Sequence, residues 1–166
     1  MGDTYVPPLE TWQDPTTGLT WQATTGGNML TSEDASEYCA SLSLDGGGWR
    51  LPTIGELRTL IRGCPGTEDG GNCTVGDGCL DSSCWIDSCA GCPNAEGPGL
   101  DRDYRPDAIK GEPWLWSSSA VGEGYEGDPG FKAWFVDFWR GGVYYNGIHG
   151  HGYAVYTVGF DVLCVR

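Results

Sequence analysis

Basic residues are scarce in this chain. Nine Lys and Arg stand against 23 Asp and Glu, giving a formal charge of −14 at pH 7. A nucleic-acid backbone and an anionic membrane surface are both gripped by clustered cations, so this balance argues against either as a partner. Long apolar runs are also missing, and no segment is predicted to span a bilayer. Histidine occurs only at positions 149 and 151, so no third imidazole is available to complete a metal site with them. A triad drawn from Ser117–Ser119, His149 and Asp137 lacks any nucleophile-elbow pattern around the serines, and enzymatic activity is not expected. No apolar leader follows Met1-Gly2-Asp3, as expected of a mature chain.

What is abundant is glycine, cysteine and aromatic residues. The 28 glycines predict many turns and short helices, and eight Trp, eight Tyr and four Phe supply a core for one domain across residues 1–166. The eight cysteines point to disulfides and hence to an extracellular, cell-surface or periplasmic location. Six of them, Cys64, Cys73, Cys79, Cys84, Cys89 and Cys92, lie in a Gly- and Asp-rich stretch from about 64 to 107 with almost no hydrophobic period. That stretch reads as a compact disulfide-knit insertion, its six cysteines paired among themselves in an order the spacing leaves open. A single CxxC at Cys89–Cys92 is too little for a structural zinc site.

The order of elements is α+β. "ETWQDPTTGLTWQ" reads as strand, turn, strand, and Ala23 to Asn28 as a polar linker. "TSEDASEYCASL" is a helix capped by Thr31, with Ala35, Tyr38, Cys39 and Leu42 on one face. "WRLPTIGELRTLIRG" is a second, with Thr53 and Glu56 as a capping box, Leu57, Leu60 and Ile61 buried, and Gly63 as its stop. An antiparallel sheet follows from "WLWSSSA", "KAWFVDFWRGGVYY", where Gly141-Gly142 turns the chain back, and the closing "YAVYTVGFDVLCVR".

The series "TGLTWQ … EDASEYCASL … GGGWRLPTIGELRTLI … WSSS … AWFVDFWRGG … LCVR" resembles the Lcl C-terminal-domain family of bacterial proteins, with "WRLPTIGEL" (Trp49–Leu57) its most specific block. The family looks like a branch of the C-type-lectin-like fold, which also contains sulfatase-modifying-factor-type domains. The resemblance implies paired N- and C-terminal strands, two helices, a sheet from the second half, and a Cys39–Cys164 disulfide. The final strand reads "VLCVR" where the family often has "VRCVR", so Leu163 removes an arginine. A redox-active cysteine pair of the sulfatase-modifying kind has no counterpart, because Cys164 stands alone in the last third of the chain.

On that frame, "GVYYNGIHGHGYAVY" reads as a contact surface, with Tyr144, Tyr145, Asn146, Ile148, His149, His151, Tyr153 and Tyr156 as ligand-binding candidates. A tight turn at Tyr144-Tyr145-Asn146-Gly147 is the plain structural alternative. Trp114, Trp116, Trp134 and Trp139 are the residues a sugar-stacking platform would use, but alternating strand positions put most aromatics in the core, and Trp139 is the exposed candidate. No cofactor is expected. Calcium is the candidate cation, with Asp69, Asp77, Asp81, Asp101 and Asp103 as its candidate ligands in flexible loops. From Gly141 to Val165 there is no Lys, Glu, Gln, Trp or Met, the residue set that retroelement mutagenesis of asparagine codons leaves. The expected function is a secreted or surface-displayed module that binds a glycan or protein. A structural subunit of an extracellular assembly or fibre is the alternative, and homo-oligomerisation goes with it.

Overall fold

The computed structural model describes residues 10–92, 104–122, 133–145 and 160–166. Strands β1 (Thr11–Gln13) and β2 (Thr20–Gln22) form an antiparallel pair, with Trp12 opposite Trp21. The turn between them is held by Asp14, whose carboxylate accepts from the Thr16 N–H at 2.9 Å and the Thr17 hydroxyl at 3.1 Å. This is the short-range side-chain turn that Asp favours. The last residues of the chain lie along β2, as the terminal-strand expectation required. Thr20 N–H donates to Arg166 O, Gln22 N–H to Cys164 O, and Val165 exchanges both backbone bonds with Arg50 on its other side.

The main sheet has five strands in the order β3-β7-β4-β5-β6: β3 (Gly26–Leu30), β7 (Phe160–Val162), β4 (Trp114–Ala120), β5 (Ala133–Asp137) and β6 (Gly142–Tyr145). Two expectations are corrected here. The sheet is mixed, because β7 runs parallel to β4 with Leu115 beside Asp161. The segment read as a polar linker forms the edge strand β3, whose ladder bonds come from β7. Its glycines fit the packing: a Cβ on Gly26 would overlap the Tyr38 hydroxyl, so a larger residue would displace the Tyr38 side chain from its hydrogen bond with Gln22.

Helix α1 (Ser32–Ser41) starts where predicted, with the Thr31 side chain accepting from Asp34 N–H. Ala35 and Cys39 point inward and join Trp116, Phe160, Val162 and Cys164 on one face of the sheet. Helix α2 (Ile54–Arg58) carries the full capping box, and packs on the opposite face with Trp134, Val136 and Leu163. Leu57, Leu60 and Ile61 are buried as expected, but the α-helix ends well before Gly63. Side chains take the carbonyls that would have continued it. The Thr59 hydroxyl donates to Glu56 O, and the Arg62 guanidinium to Thr59 O. Leu60 and Ile61 therefore sit in tighter turns bonded to Leu57 O and Arg58 O.

Glu56 also holds Arg50 in a two-pronged ion pair, at 2.6 and 2.7 Å. The hydrogen bonds from Arg50 lower its carboxyl pKa, and those from Thr53 help, while partial burial opposes them. A lowered folded value means that Glu56 contributes stability above the ordinary Glu range and loses it as pH falls through the folded value. Glu56→Gln is thus expected to cost about 1 kcal/mol at neutral pH and to flatten the melting-temperature profile between about pH 5 and pH 3. Thermal melts across that range check both; an unchanged acid limb would remove Glu56 from the account.

The insertion is knit as expected, and Cys39 pairs with Cys164. The six clustered cysteines form three nested bonds: Cys64–Cys92 encloses Cys73–Cys89, which encloses Cys79–Cys84. Cys89 and Cys92 thus belong to different disulfides. The insertion also covers the free edge of the sheet at β6. The Trp85 indole N–H donates to Val143 O at 2.8 Å, the Tyr144 hydroxyl to Ala90 O at 2.6 Å, and Cys92 N–H to Arg140 O at 2.8 Å. Covering an edge strand removes a template for unwanted strand pairing.

Candidate functional site

The β5–β6 hairpin presents the candidate site. Register places Trp134 opposite Tyr145, Phe135 opposite Tyr144, and Asp137 opposite Gly142. Trp134, Val136, Val143 and Tyr145 enter the core on the α2 face, so period-two alternation sends Phe135, Asp137 and Tyr144 to the other. Phe138 to Gly141 form the turn. Gly141 has a φ of +62°, and a Cβ there would crowd Cys64 and the Tyr104 ring. The Gly141-Gly142 turn is therefore required by close packing of the insertion as well as by backbone conformation.

Asp137 is the chemical centre of this end of the sheet. It is 8 % exposed, and one carboxylate oxygen accepts the Trp139 N–H at 2.9 Å. Burial pushes its carboxyl pKa up. The Trp139 and Arg140 backbone N–H groups, the Trp114 side chain and the Arg140 charge all oppose that rise by favouring the ionised form. Tyr144 lies next to it. Burial raises the phenol pKa and the Asp137 charge adds to the rise, while the Arg140 charge and a hydrogen bond from Arg140 act against it. Around this group the sheet face is aromatic. Trp114 meets Phe160 edge-on at 5.8 Å, Phe160 meets Phe135 at 4.6 Å, and Phe135 meets Tyr144 at 5.9 Å.

The structure separates the sequence candidates. Tyr145 is a core residue, packed edge-on against Trp134 at 4.9 Å, and presents no surface to a ligand. Tyr144 is half-buried, with its hydroxyl committed to the insertion. Neither lies in a turn: both belong to β6, because β5 supplies the ladder on one side and the insertion packs on the other. Trp139 is 52 % exposed, as expected of it. Asn146, Ile148, His149, His151, Tyr153 and Tyr156 lie outside the described residues.

Among the described residues the acidic candidates Asp69, Asp77 and Asp81 serve separate partners. Asp77 accepts from Thr53 Oγ1 and Gly55 N–H at the start of α2, Asp81 lies against Gly122, and Asp69 acts electrostatically on Arg58. Among the described residues no three His, Cys, Asp or Glu side chains are grouped to hold a metal ion; Asp101 and Asp103 lie outside them. Of the drawn triad, His149 lies outside the described residues. The Ser117 hydroxyl donates to Trp134 O, and Ser119 Oγ accepts from Ile54 N–H on the α2 side, whereas Asp137 lies on the opposite face. Sequence reasoning missed Trp114 as an exposed aromatic and Asp137 as the group beside it. An acidic residue inside an otherwise aromatic strand, "AWFVDFW", was the available signal.

In comparison with known proteins, the profile of the Lcl C-terminal domain matches residues 10–159, a span that takes in every element above except β7. No curated protein and no solved structure matches the chain.

Proposed function

The chain belongs to the Lcl C-terminal domain family, and from that premise we propose that it is a secreted or surface-displayed bacterial ligand-binding module of C-type-lectin-like fold. It recognises a glycan or protein through the segment that follows Tyr145, together with Trp139. Four disulfides, with no helix among the described residues long and apolar enough to cross a membrane, are compatible with an extracellular or periplasmic location.

The observation that carries this reading is the anchoring of the Tyr-, His- and Gly-rich segment 146–159. It leaves Tyr145 at the end of β6 and returns at Phe160 of β7, and both roots are buried. Strands β4 and β5 lie between those roots in the sheet. A rigid, cross-linked scaffold carrying a polar segment between fixed roots is how binding loops are commonly presented. Because Tyr145 is buried and the Tyr144 hydroxyl is held by Ala90 O, the contacts proposed are those beyond Tyr145, with Trp139.

The test is a glycan-array and cell-surface binding screen, run with and without calcium, on the wild-type chain and on His149→Ala/His151→Ala/Tyr153→Ala/Tyr156→Ala. We expect the variant to bind at least about tenfold more weakly, a loss of about 1.4 kcal/mol, with its melting temperature kept. Undiminished binding would remove the segment from the site. Concentration-dependent self-assembly without any ligand would favour a structural subunit instead.

A further inference from the structure

Among the described residues only three large hydrophobic side chains are exposed: Ile86, Trp114 and Trp139. Single exposed hydrophobics are ordinary. The two tryptophans are different, because one buried carboxylate serves both. Trp114 lies directly opposite Asp137 in the β4–β5 register, and its side chain favours the ionised form of that carboxylate. Trp139 follows two residues later, its backbone N–H bonded to Asp137 Oδ1 at 2.9 Å. Phe160 supports Trp114 edge-on, and Phe138 N–H, bonded to Pro113 O at 2.9 Å, ties the turn to the start of β4. Trp114 keeps ring surface to offer at 41 % exposure.

We propose that Trp114 and Trp139 form a stacking platform for the apolar face of a neutral sugar ring, and that Asp137 is the residue positioning both. The inference deepens the ligand-binding reading above and rests on it, but puts the primary contact on the hairpin turn rather than on segment 146–159. Preset aromatic faces suit a pyranose, which offers C–H groups on one side and hydroxyls at its rim. Uronic, sialic and sulfated sugars are disfavoured by a chain of −14 formal charge with a carboxylate at the platform itself. Cationic groups gain little, because Arg140 already acts on that carboxylate.

The test is calorimetry and tryptophan emission with neutral probes (cello-, malto-, xylo-, manno- and chito-oligosaccharides) and with a heparin oligosaccharide as the acidic control. We expect at least one neutral probe to bind with a blue-shifted emission. Trp114→Ala and Trp139→Ala should each weaken that binding about tenfold. Asp137→Asn keeps an acceptor for both tryptophans and should stay within about threefold of wild type, whereas Asp137→Leu should fall to the level of the tryptophan variants. Exposed Trp139 can be removed without touching the core, so its variant remains informative if Asp137→Leu fails to fold. Binding of no neutral probe, or tighter binding of heparin, would overturn the proposal. Neutral binding indifferent to both tryptophans but lost in His149→Ala/His151→Ala would overturn the platform and leave the segment as the site. Neutral binding indifferent to all four would overturn both assignments.

Discussion

Replacing Cys39 and Cys164 together by alanine is expected to lower the stability of the chain by about 4–5 kcal/mol, a larger effect than removal of any other disulfide. The bond closes 125 residues of sequence, whereas Cys79–Cys84 closes 5. Loop-closure entropy grows with the logarithm of loop length, so the two should differ by about 3 kcal/mol in favour of the longer. Packing reinforces the difference. Cys39 and Cys164 are fully buried and join α1 to the final segment, which is bonded to Thr20 and Gln22 on one side and to Arg50 on the other. Without the bond, α1 is held to that segment by contacts across the Trp116–Phe160 face and by Gln22, which bonds both the Tyr38 hydroxyl and Cys164 N–H. Urea unfolding of the double variant, compared with Cys79→Ser/Cys84→Ser, checks this. For a chain of this length the longer deletion corresponds to a fall of roughly 10–15 °C in melting temperature. Equal losses for the two variants would show that loop length does not govern the ranking.

The features legible in the sequence are those whose causes are local. The caps at Thr31 and Thr53 depend on residues three positions away, and the β1–β2 turn on Asp14 and its own neighbours, so each could be read from a short window. The Cys39–Cys164 pair was legible twice over, from the family resemblance and because the six clustered cysteines leave those two as the long-range pair. Strand β3 was not legible, because Gly26 to Leu30 has no periodic pattern and becomes a strand only when distant β7 supplies its ladder. The alternative of a turn at Tyr144-Tyr145-Asn146-Gly147 was weighed without the strand and insertion that flank β6; Tyr144 and Tyr145 belong to that strand, and Asn146 and Gly147 lie outside the described residues. Exposure of Trp114 depends on how far α1 extends over the sheet. The helix covers Trp116 and Val162 but leaves Trp114 partly exposed, although Trp114 and Trp116 alternate identically in the sequence. The candidate site was therefore legible as a region and not as a set of contacts.

Arg58 carries the second large effect, and nothing about its position in "GELRTL" announces it. Its side chain turns into the insertion, and its guanidinium reaches four backbone carbonyls: Thr67 O at 2.9 Å, Glu68 O at 2.8 Å, Cys73 O at 3.0 Å and Val75 O at 2.5 Å. The residue is 7 % exposed. Burial lowers its pKa, with Asp69 opposing, but a guanidinium stays charged at any physiological pH. The insertion has little apolar sequence with which to fix its own path, so the fork of donors does what a core would otherwise do. Arg58→Met keeps the length of the side chain and strands those carbonyls without partners. The expected cost is about 3–5 kcal/mol. Arg58→Lys restores a charge without the planar fork and should recover less than half of that. The loss should be local: amide protection is expected to fall around Cys73 to Val75 while β3, β7 and α1 keep theirs. Refolding from the reduced state should also become less faithful, since three nested bonds among six cysteines are only one of fifteen pairings, and the chain path that selects them is the one Arg58 holds. Hydrogen exchange and a non-reducing peptide map of refolded Arg58→Met separate the alternatives. Native pairing with a stability loss under about 1 kcal/mol would mean that the disulfides hold the insertion alone; scrambled pairing would mean that Arg58 sets the path that the disulfides then lock.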